Sequence, residues 1–478
     1  MTKIICFKEC EIIAMKLKKS IGKFDILSLA VGSIIGWGAF VMPGALFIPK
    51  SGVINTMIAL VLGAIIMIIT EKNFGYLLSK NQVSGGEYAF TYKSFGRKHA
   101  FLCGWFLVLS YMSVVPLNAT ALALIAKAMF PGLLAKGYLY TVAGFKIYLA
   151  EVILAMGTLV IFGYFNIKGI KIASLFQKIM VLVLIGIIFM MGSFFMLSPE
   201  FDKNIMLSHF NMDDIKLGKI LRILAIAPWA YQGFDCIPQA VEEFDFDVKS
   251  ASKLAILSIV LGCIIYNILL IVTASTFTQD VIINGDLNWA TGQAVEILFG
   301  KIGFYCLGVA LLMAIIGGVN GYYLTASRLI YAMARSGAIP ETFSKLTPKG
   351  RTPKNAILFI MAFSIIAPLF GRSVLLWIVD MSAIGATIGY GYTSWSAYVQ
   401  AKKEKKKFIM VTGALAGTLN IIFASILLIP SLPTSLSRPS LIVLGIWSIL
   451  GIISYKTNER GFKEKNKKEL DLLILKES

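Results

Sequence analysis

From residue 25 to residue 455 the chain alternates long apolar stretches with short polar segments, most of them basic. Twelve stretches read as membrane spans, at 25–48, 52–71, 100–130, 146–164, 170–197, 218–241, 252–277, 302–334, 355–371, 373–399, 408–430 and 439–455. Most exceed the roughly 20 residues that a helix needs to cross a bilayer core. The expected fold class is all-α integral membrane: one twelve-helix domain over 25–455, between an N-terminal tail at 1–24 and a charged, mobile C-terminal tail at 456–478.

Two of these spans are interrupted. Residues 27–48 read LSLAVGSIIGWGAFVMPGALFI, with Gly32, Gly36, Gly38, Pro43 and Gly44 inside a stretch of membrane length. Glycine within a helix costs roughly 0.5–1 kcal/mol relative to alanine, and an unpaired backbone group in lipid costs several kcal/mol more. A break of this kind is tolerated where the freed N–H and C=O groups line a cavity. The sixth span, ILAIAPWAYQGFDCIPQAV at 223–241, is punctuated in the same way by Pro228, Gly233 and Pro238. Broken spans one and six, each opening a group of five, predict an inverted 5+5 repeat. The halves are 25–197 and 218–399, with two helices at 408–455 appended.

Composition supports the membrane reading. Of 478 residues, 57% are hydrophobic and only 15% charged, against about 25% charged in soluble domains; the mean hydropathy is +0.78. The net charge of +19 raises the question of a nucleic-acid partner, but no basic stripe runs along a soluble face. With twelve spans, 34 of the 45 Lys and Arg fall on the side of the two tails and 11 on the other. By the positive-inside rule both termini are cytoplasmic. KKEKKK at 402–407 is then a topology signal first and an anionic-lipid contact second. The N-terminal residues lack the clean apolar run of a signal peptide, and Met15 is an alternative start.

Cys103, Cys236, Cys263 and Cys306 lie in apolar segments, where a thiol acts as a small hydrophobe. Cys6 and Cys10 sit in the basic tail, and His99 and His209, in expected loops, are the only histidines. These spacings suggest no metal, and no nucleophile–base cluster suggests an enzyme. No cofactor is called for.

Four segments carry a resemblance. GSIIGWGAFVMPG (32–44) is similar to the first-helix signature of the amino acid–polyamine–organocation (APC) superfamily, permeases of the LeuT-like fold. SGGEYAFTYKSFG (84–96) resembles that family's loop between helices two and three. PWAYQGFDCIPQAVEEF (228–244) resembles its broken sixth helix, and ASRLIYAMARSGAIP with PKGRTPKNA (326–340 and 348–356) its eighth-helix end and loop. The resemblance covers nearly the whole chain. It implies a substrate site at the middle of the membrane, between helices 1 and 6 and closed by 3, 8 and 10. Amides around Gly36, Trp37 and Gly38 would bind a carboxylate, and carbonyls near Ile34, Trp229 and Gln232 an ammonium. Ser33, Ala39 and Gly233 complete the broken segments of that site. The physical chemistry agrees: a half-helix N-terminus offers free N–H groups and positive dipole, and a half-helix C-terminus offers carbonyls. Together they suit a zwitterion without a buried fixed charge.

Two features depart from the family pattern. Trp37 stands where the family has a serine between two glycines, so it shrinks the pocket or stacks on a ligand. The fifth span reads MVLVLIGIIFM at 180–190, without the lysine of some proton-coupled members.

Individual residues admit two readings. Asp235, the only acid in the apolar part of span six, is a candidate proton-coupling carboxyl or a cap on the lower half-helix. Trp229 is an aromatic lid or a packing residue. Glu242 and Glu243 are solvated surface acids or an inner gate. Tyr111 and Asn118 share a face of span three and line the pocket or bond neighbouring helices; Asn320 and Tyr322 on span eight are similar. Arg328 and Arg335 read as cytosolic-end structure and gating, and Glu151 has no visible partner.

The expected activity is secondary transport of an amino acid across the plasma membrane by alternating access, with proton symport or exchange. A putrescine-like amine importer, served by Asp235, is the alternative. A non-transporting nutrient sensor fits less well with tails this short.

Overall fold

The computed structural model describes residues 17–476 except 18, 143–144, 286, 288, 349–350, 372, 431–434 and 466. Cys6, Cys10, Met15 and most of the expected N-terminal tail therefore lie outside the described residues. The rest is almost wholly helical. Among the described residues, eight helices are long and apolar enough to cross a membrane, or nine if one bent pair counts as a single span. The chain is a multi-pass membrane protein.

The bent pair is the first glycine-rich stretch. Helix α1 (Lys23–Ile34) and helix α2 (Trp37–Met42) are joined through Ile35 and Gly36, both extended, and α1 is bent by 42° from the segment Trp37–Ser51 that α2 begins. A π-turn at Pro43–Phe47 and a short helix at Ile48–Ser51 follow. Next come α3 (Val53–Leu78), the short α4 (Gly86–Phe95) and α5 (Arg97–Met129), in which Pro116 is accommodated.

A two-stranded hairpin, β1 (Tyr138–Val142) and β2 (Phe145–Tyr148), joins α5 to the following helix, with Tyr138 opposite Tyr148 and Thr141 opposite Lys146. Sequence reading placed only a loop here. The run of aromatic and β-branched residues favours extended pairing.

Helices α6 (Leu149–Lys168) and α7 (Ile170–Phe194) follow. The sixth span is the most fragmented. It consists of α8 (Leu217–Leu224), α9 (Ala227–Ala230), turns through 231–235, α10 (Cys236–Gln239) and a 3₁₀ turn at Val241–Glu243. Then follow α11 (Lys249–Ala274), α12 (Ala290–Arg335), α13 (Lys354–Ser364), α14 (Ser373–Lys403), α15 (Lys407–Leu428), α16 (Arg438–Glu464) and α17 (Lys467–Leu470). The 46 residues of α12 are two helices joined at Gly300, whose φ of 67° breaks the helical path. The apolar span read at 302–334 begins just past this break.

The interior is built where α5, α12 and α14 pack together and where α1 lies against α7, α11 and α12. Small residues let these helices approach closely: a Cβ on Gly385 would stand 2.4 Å from the Phe106 carbonyl oxygen of α5, and one on Gly321 would stand 2.2 Å from Ser33 Oγ of α1. Large apolar side chains such as Ile153, Leu182 and Ile449 are exposed on the outer helices, as a face turned to lipid requires.

The C-terminal segment differs from the expectation of a mobile tail. Residues 467–475 fold back on the protein, and Leu470, Ile474 and Leu475 are buried in the main core. The sequence cue is a short apolar cluster, LLIL, inside an otherwise charged stretch.

Candidate functional site

The breaks in spans one and six face each other. Gly233 has a φ of 141°, a conformation that side chains rarely adopt, and a Cβ there would stand 2.6 Å from the Ile34 nitrogen and 2.7 Å from the Ser33 carbonyl carbon. The two interrupted segments thus touch backbone to backbone. At the start of α2, Ala39 N–H donates to the Gly36 carbonyl. The amides of Trp37 and Gly38 begin the helix and have no turn before them to bond. At the end of α1 the Val31 carbonyl accepts from Ile35 N–H at 2.9 Å, and the carbonyls after it have no further turn to bond.

A small cavity of about 30 Å³ lies at this meeting point. It is lined by Ser33, Ile34, Gly36, Trp37, Gly38, Val114, Leu117, Asn118, Trp229, Gln232, Tyr266 and Tyr322. Nine of these are residues expected from sequence. Three others expected there, Ala39, Gly233 and Tyr111, do not line it. Ala39 is buried on α2, Gly233 forms the contact between the broken segments, and Tyr111 lies beneath, its ring 6.2 Å from that of Tyr322. Val114, Leu117 and Tyr266 were not singled out from sequence, because an apolar residue on a membrane helix carries no local mark of facing a cavity.

No charged side chain lines the cavity. Three buried polar atoms on its lining residues have no hydrogen-bond partner: Ser33 Oγ, Trp37 Nε1 and Asn118 Oδ1. Buried polar groups are nearly always paired, so these atoms lack the partners that a polar solute supplies. The indoles of Trp37 and Trp229 meet edge-on, with ring centres 6.4 Å apart. A Cβ on Gly38 would stand 2.7 Å from Trp229 Cη2, so the bare Cα of Gly38 is what admits the Trp229 ring. Gly36 and Trp229 are the half-exposed members of the lining, and they mark the side on which the cavity approaches solvent.

Gln232 is held on both ends of its amide. Its Nε2 donates to Ser110 Oγ at 2.8 Å, and its Oε1 accepts from Ser382 Oγ at 2.7 Å. The Tyr322 hydroxyl donates to the Gln232 carbonyl at 2.9 Å, so one lone pair of that expected ammonium acceptor is already engaged. Spans three, six, eight and ten are thereby fastened around the cavity floor.

Behind α1 runs a chain of amides without charge. Asn166 Nδ2 donates to Asn320 Oδ1 at 2.8 Å, Asn320 Nδ2 donates to Gln177 Oε1 at 2.9 Å, and Gln177 Nε2 donates to the Ser28 carbonyl at 3.3 Å. Asn320 thus belongs to this network and not to the cavity lining. Gln177 lies just outside the window of the fifth span in which a lysine was sought.

Asp235 is fully buried and lies below the cavity. Its side chain makes no capping bond to α10, contrary to one of its two sequence readings. Instead Gly233 N–H donates to Asp235 Oδ1 at 2.8 Å, and Tyr111 Oη lies 2.7 Å from Asp235 Oδ2.

Glu242 and Glu243 are not solvated surface acids. Both are buried. Arg328 grips Glu243 with Nε at 2.7 Å and Nη2 at 3.1 Å. Arg335 donates to Glu242 Oε1 from Nη1 and Nη2, both at 3.1 Å, and Ser84 N–H donates to the same oxygen at 2.9 Å. Lys476 of the C-terminal segment reaches Glu242 Oε2 at 2.8 Å. Two cations, Arg335 and Lys476, thus face the buried Glu242 carboxylate. The Glu243 carbonyl also accepts from Ser20 and Ile21 at 2.9 and 3.0 Å. The four charged residues, two adjacent at the end of the sixth span and two seven apart on α12, thus form two neighbouring buried ion pairs. Glu151, without a visible partner in the sequence, pairs with Lys127. Among the described residues no group of His, Cys, Asp and Glu could hold a metal ion.

A model of the family described as amino acid permease matches residues 21–454. The branched-chain amino acid permease BcaP of Bacillus subtilis is 25% identical over 475 residues, covering 94% of this chain and 95% of its own. The serine/threonine exchanger SteT of the same organism is 27% identical, covering 74% and 78% of the two chains. Its methylthioribose transporter is also 27% identical, covering 77% and 79%.

Proposed function

This chain belongs to the amino acid permease family, and we propose from that premise that it carries a neutral amino acid across the plasma membrane by alternating access. The observation that carries the substrate class is the cavity between the two broken helices. It has no charged side chain, yet it leaves Ser33 Oγ, Trp37 Nε1 and Asn118 Oδ1 without partners. Free amides at the start of α2 suit a carboxylate, the carbonyls ending α1 suit an ammonium, and Val114, Leu117 and Tyr266 suit an uncharged side chain. A diamine would leave the amides unmatched, and Asp235 does not reach the cavity to serve a second ammonium.

In this reading the protein has twelve spans with both termini cytoplasmic. Lys354–Phe370, Ser373–Lys403 and the fragmented 217–243 join the nine apolar spans to make that number. The two groups of five move against each other around the cavity, as in an inverted-repeat transporter. The conformation is closed to the cytoplasm by Glu242, Glu243, Arg328 and Arg335 and approaches solvent at Gly36 and Trp229. Transport is proton-coupled, as symport or exchange, through the buried carboxyl of Asp235.

Counterflow in proteoliposomes tests the substrate class. Vesicles loaded with unlabelled branched-chain or small neutral amino acid should accumulate the labelled form, and putrescine should neither accumulate nor compete. Accumulation of the diamine alone would overturn the proposal. Relatives named for such different cargoes as branched-chain amino acids and methylthioribose make a broad substrate panel necessary.

A further inference from the structure

A second buried carboxyl stands beside Asp235. Glu87, on α4 between spans two and three, is 0% exposed. It enters the interior from the glycine-rich turn at Gly85 and Gly86, whose φ values are 94° and 31°. Tyr111 Oη lies 2.8 Å from Glu87 Oε1 and 2.7 Å from Asp235 Oδ2. The outer oxygens are occupied by protein donors: Gln239 Nε2 reaches Glu87 Oε2 at 2.6 Å, and Gly233 N–H reaches Asp235 Oδ1 at 2.8 Å.

The donor count of this bridge is informative. A phenol carries one O–H, and a hydrogen bond weakens steeply away from linearity. One proton cannot serve two carboxylates on separate sides of the oxygen. Tyr111 donates to one of them, and the second contact requires a carboxyl O–H that donates to the tyrosine oxygen. No ion pair among the described residues reaches either acid. The titratable groups packed around them are Cys103 and Tyr111 of α5, Cys236 of the sixth span, Tyr322 of α12 and Tyr390 of α14, all neutral at physiological pH. Glu71 of α3 is turned away to Ser252, 3.0 Å distant. Two uncompensated charges at this depth would cost far more than one shared proton. The Tyr390 hydroxyl is fully buried beside Asp235, and Gln239 Oε1 is unpaired among the described residues. The cluster therefore has unused capacity to reorganise when a proton leaves.

We infer that Glu87, Tyr111 and Asp235 form a single proton-binding site, in which one proton is shared through the phenol and its departure drives opening of the cytoplasmic seal. The inference rests on the transporter reading above and names the group that couples the proton to it. Loading forms a carboxyl O–H bond on one of the two acids with a proton from solvent, and unloading breaks it and leaves two facing carboxylates. Their repulsion acts between α4 and the sixth span. Ser84, three residues before Glu87, holds Glu242 through its amide. Moving α4 away thus withdraws a donor from the Glu242 seal. Tyr111 also packs against Tyr322, whose hydroxyl holds the Gln232 carbonyl at the cavity floor. The proton site thereby touches both the seal and the solute cavity.

Infrared spectroscopy of the purified full-length protein in liposomes tests this without relying on transport. The C=O stretch of a protonated carboxyl should titrate away between about pH 5 and pH 10. A component of that band should be lost in Glu87→Gln and in Asp235→Asn and shifted in Tyr111→Phe, in each case also in a Glu71→Gln background that removes the separate Glu71 carboxyl. In that background a band of parental intensity in both Glu87→Gln and Asp235→Asn overturns the inference, whatever the fate of transport. In the flux assay, uptake by the parent protein should rise severalfold when the outside is made acidic, and in Glu87→Gln the ratio of acidic to neutral uptake should fall to about one. A merely structural role for Glu87 would lower both rates by the same factor and leave the ratio intact, which also overturns the inference. If the band behaves as expected and no neutral amino acid moves, the proton site stands and the substrate reading fails.

Discussion

Gly233 and Ile34 meet backbone to backbone: the space for a Cβ on Gly233 ends 2.6 Å from the Ile34 nitrogen. This contact joins the two broken helices and sets the position of the free backbone groups around the cavity. Gly233→Ala adds a methyl against backbone that cannot rotate away, at a φ that alanine tolerates poorly. The expected result is a loss of about 1–3 kcal/mol of stability and of nearly all counterflow. Gly36→Ala is the contrast. Its Cβ would meet only Asn118 Oδ1, at 3.2 Å, and that amide can turn. It should fold normally and lose apparent affinity. Equal thermal shifts for the two variants would show that the contact does not fix the breaks.

The Arg328–Glu243 pair, exposed by only 1% and 2%, gives a second prediction. Removing one partner of a buried pair strands a charge and costs about 3–5 kcal/mol, whereas replacing both with apolar residues is often neutral. Arg328→Ala should therefore lower the melting temperature in detergent much more than the double change Arg328→Met, Glu243→Leu. The double variant should still lose control of the cytoplasmic opening, seen as higher reactivity of a cysteine introduced behind the seal. Melting temperatures that fall equally would place the pair in solvent.

The C-terminal segment should act as a latch on the same seal. Truncation after Glu464 removes Lys476 from Glu242 and uncovers the contact surface of Leu470, Ile474 and Leu475. We expect the truncated protein to favour the cytoplasm-open state and to label more readily there. Lys476→Ala, which leaves the apolar contacts in place, should give a smaller change in the same direction. Unaltered labelling of the truncated protein would reduce the segment to passive packing.

Stability should depend on pH through one buried acid outside the spans. For Glu87, burial and the Asp235 charge push the carboxyl up from 4.5 to about 8. The folded state there favours the proton, so the stability it contributes is greatest below 4.5 and is lost as pH rises to about 8. Melting curves across this range should show the parent protein weakening and Glu87→Gln holding level. Parallel curves would contradict the assignment.

Trp37 should limit substrate size. Trp37→Ser removes the indole that meets Trp229 and enlarges the cavity. Bulky neutral amino acids should then compete on the order of tenfold better, with small ones weakened. Inhibition constants for a graded series of neutral amino acids measure this directly, and an unchanged ranking would assign Trp37 a packing role.

Much of this was legible in the chain itself, for one reason: lipid penalises every unpaired backbone group. Glycine and proline at 32–44 and 228–238 therefore marked the two breaks, and uniformly apolar stretches marked the helices. The same rule could not show what lies across an interface. Glu242 and Glu243 stayed open between surface acids and an inner gate because their arginine partners are about 85–93 positions away in sequence. Glu87 sat in a recognised loop motif, but only folding turns it inward onto Tyr111 and Asp235. Gln177 carried no charge to draw attention, and the burial of Leu470, Ile474 and Leu475 depended on a docking surface made by other segments. Local backbone chemistry thus determined where the helices break. The pairing of buried charges, the shared proton and the closed tail were decided by tertiary packing, because each depends on groups that approach only when distant helices meet.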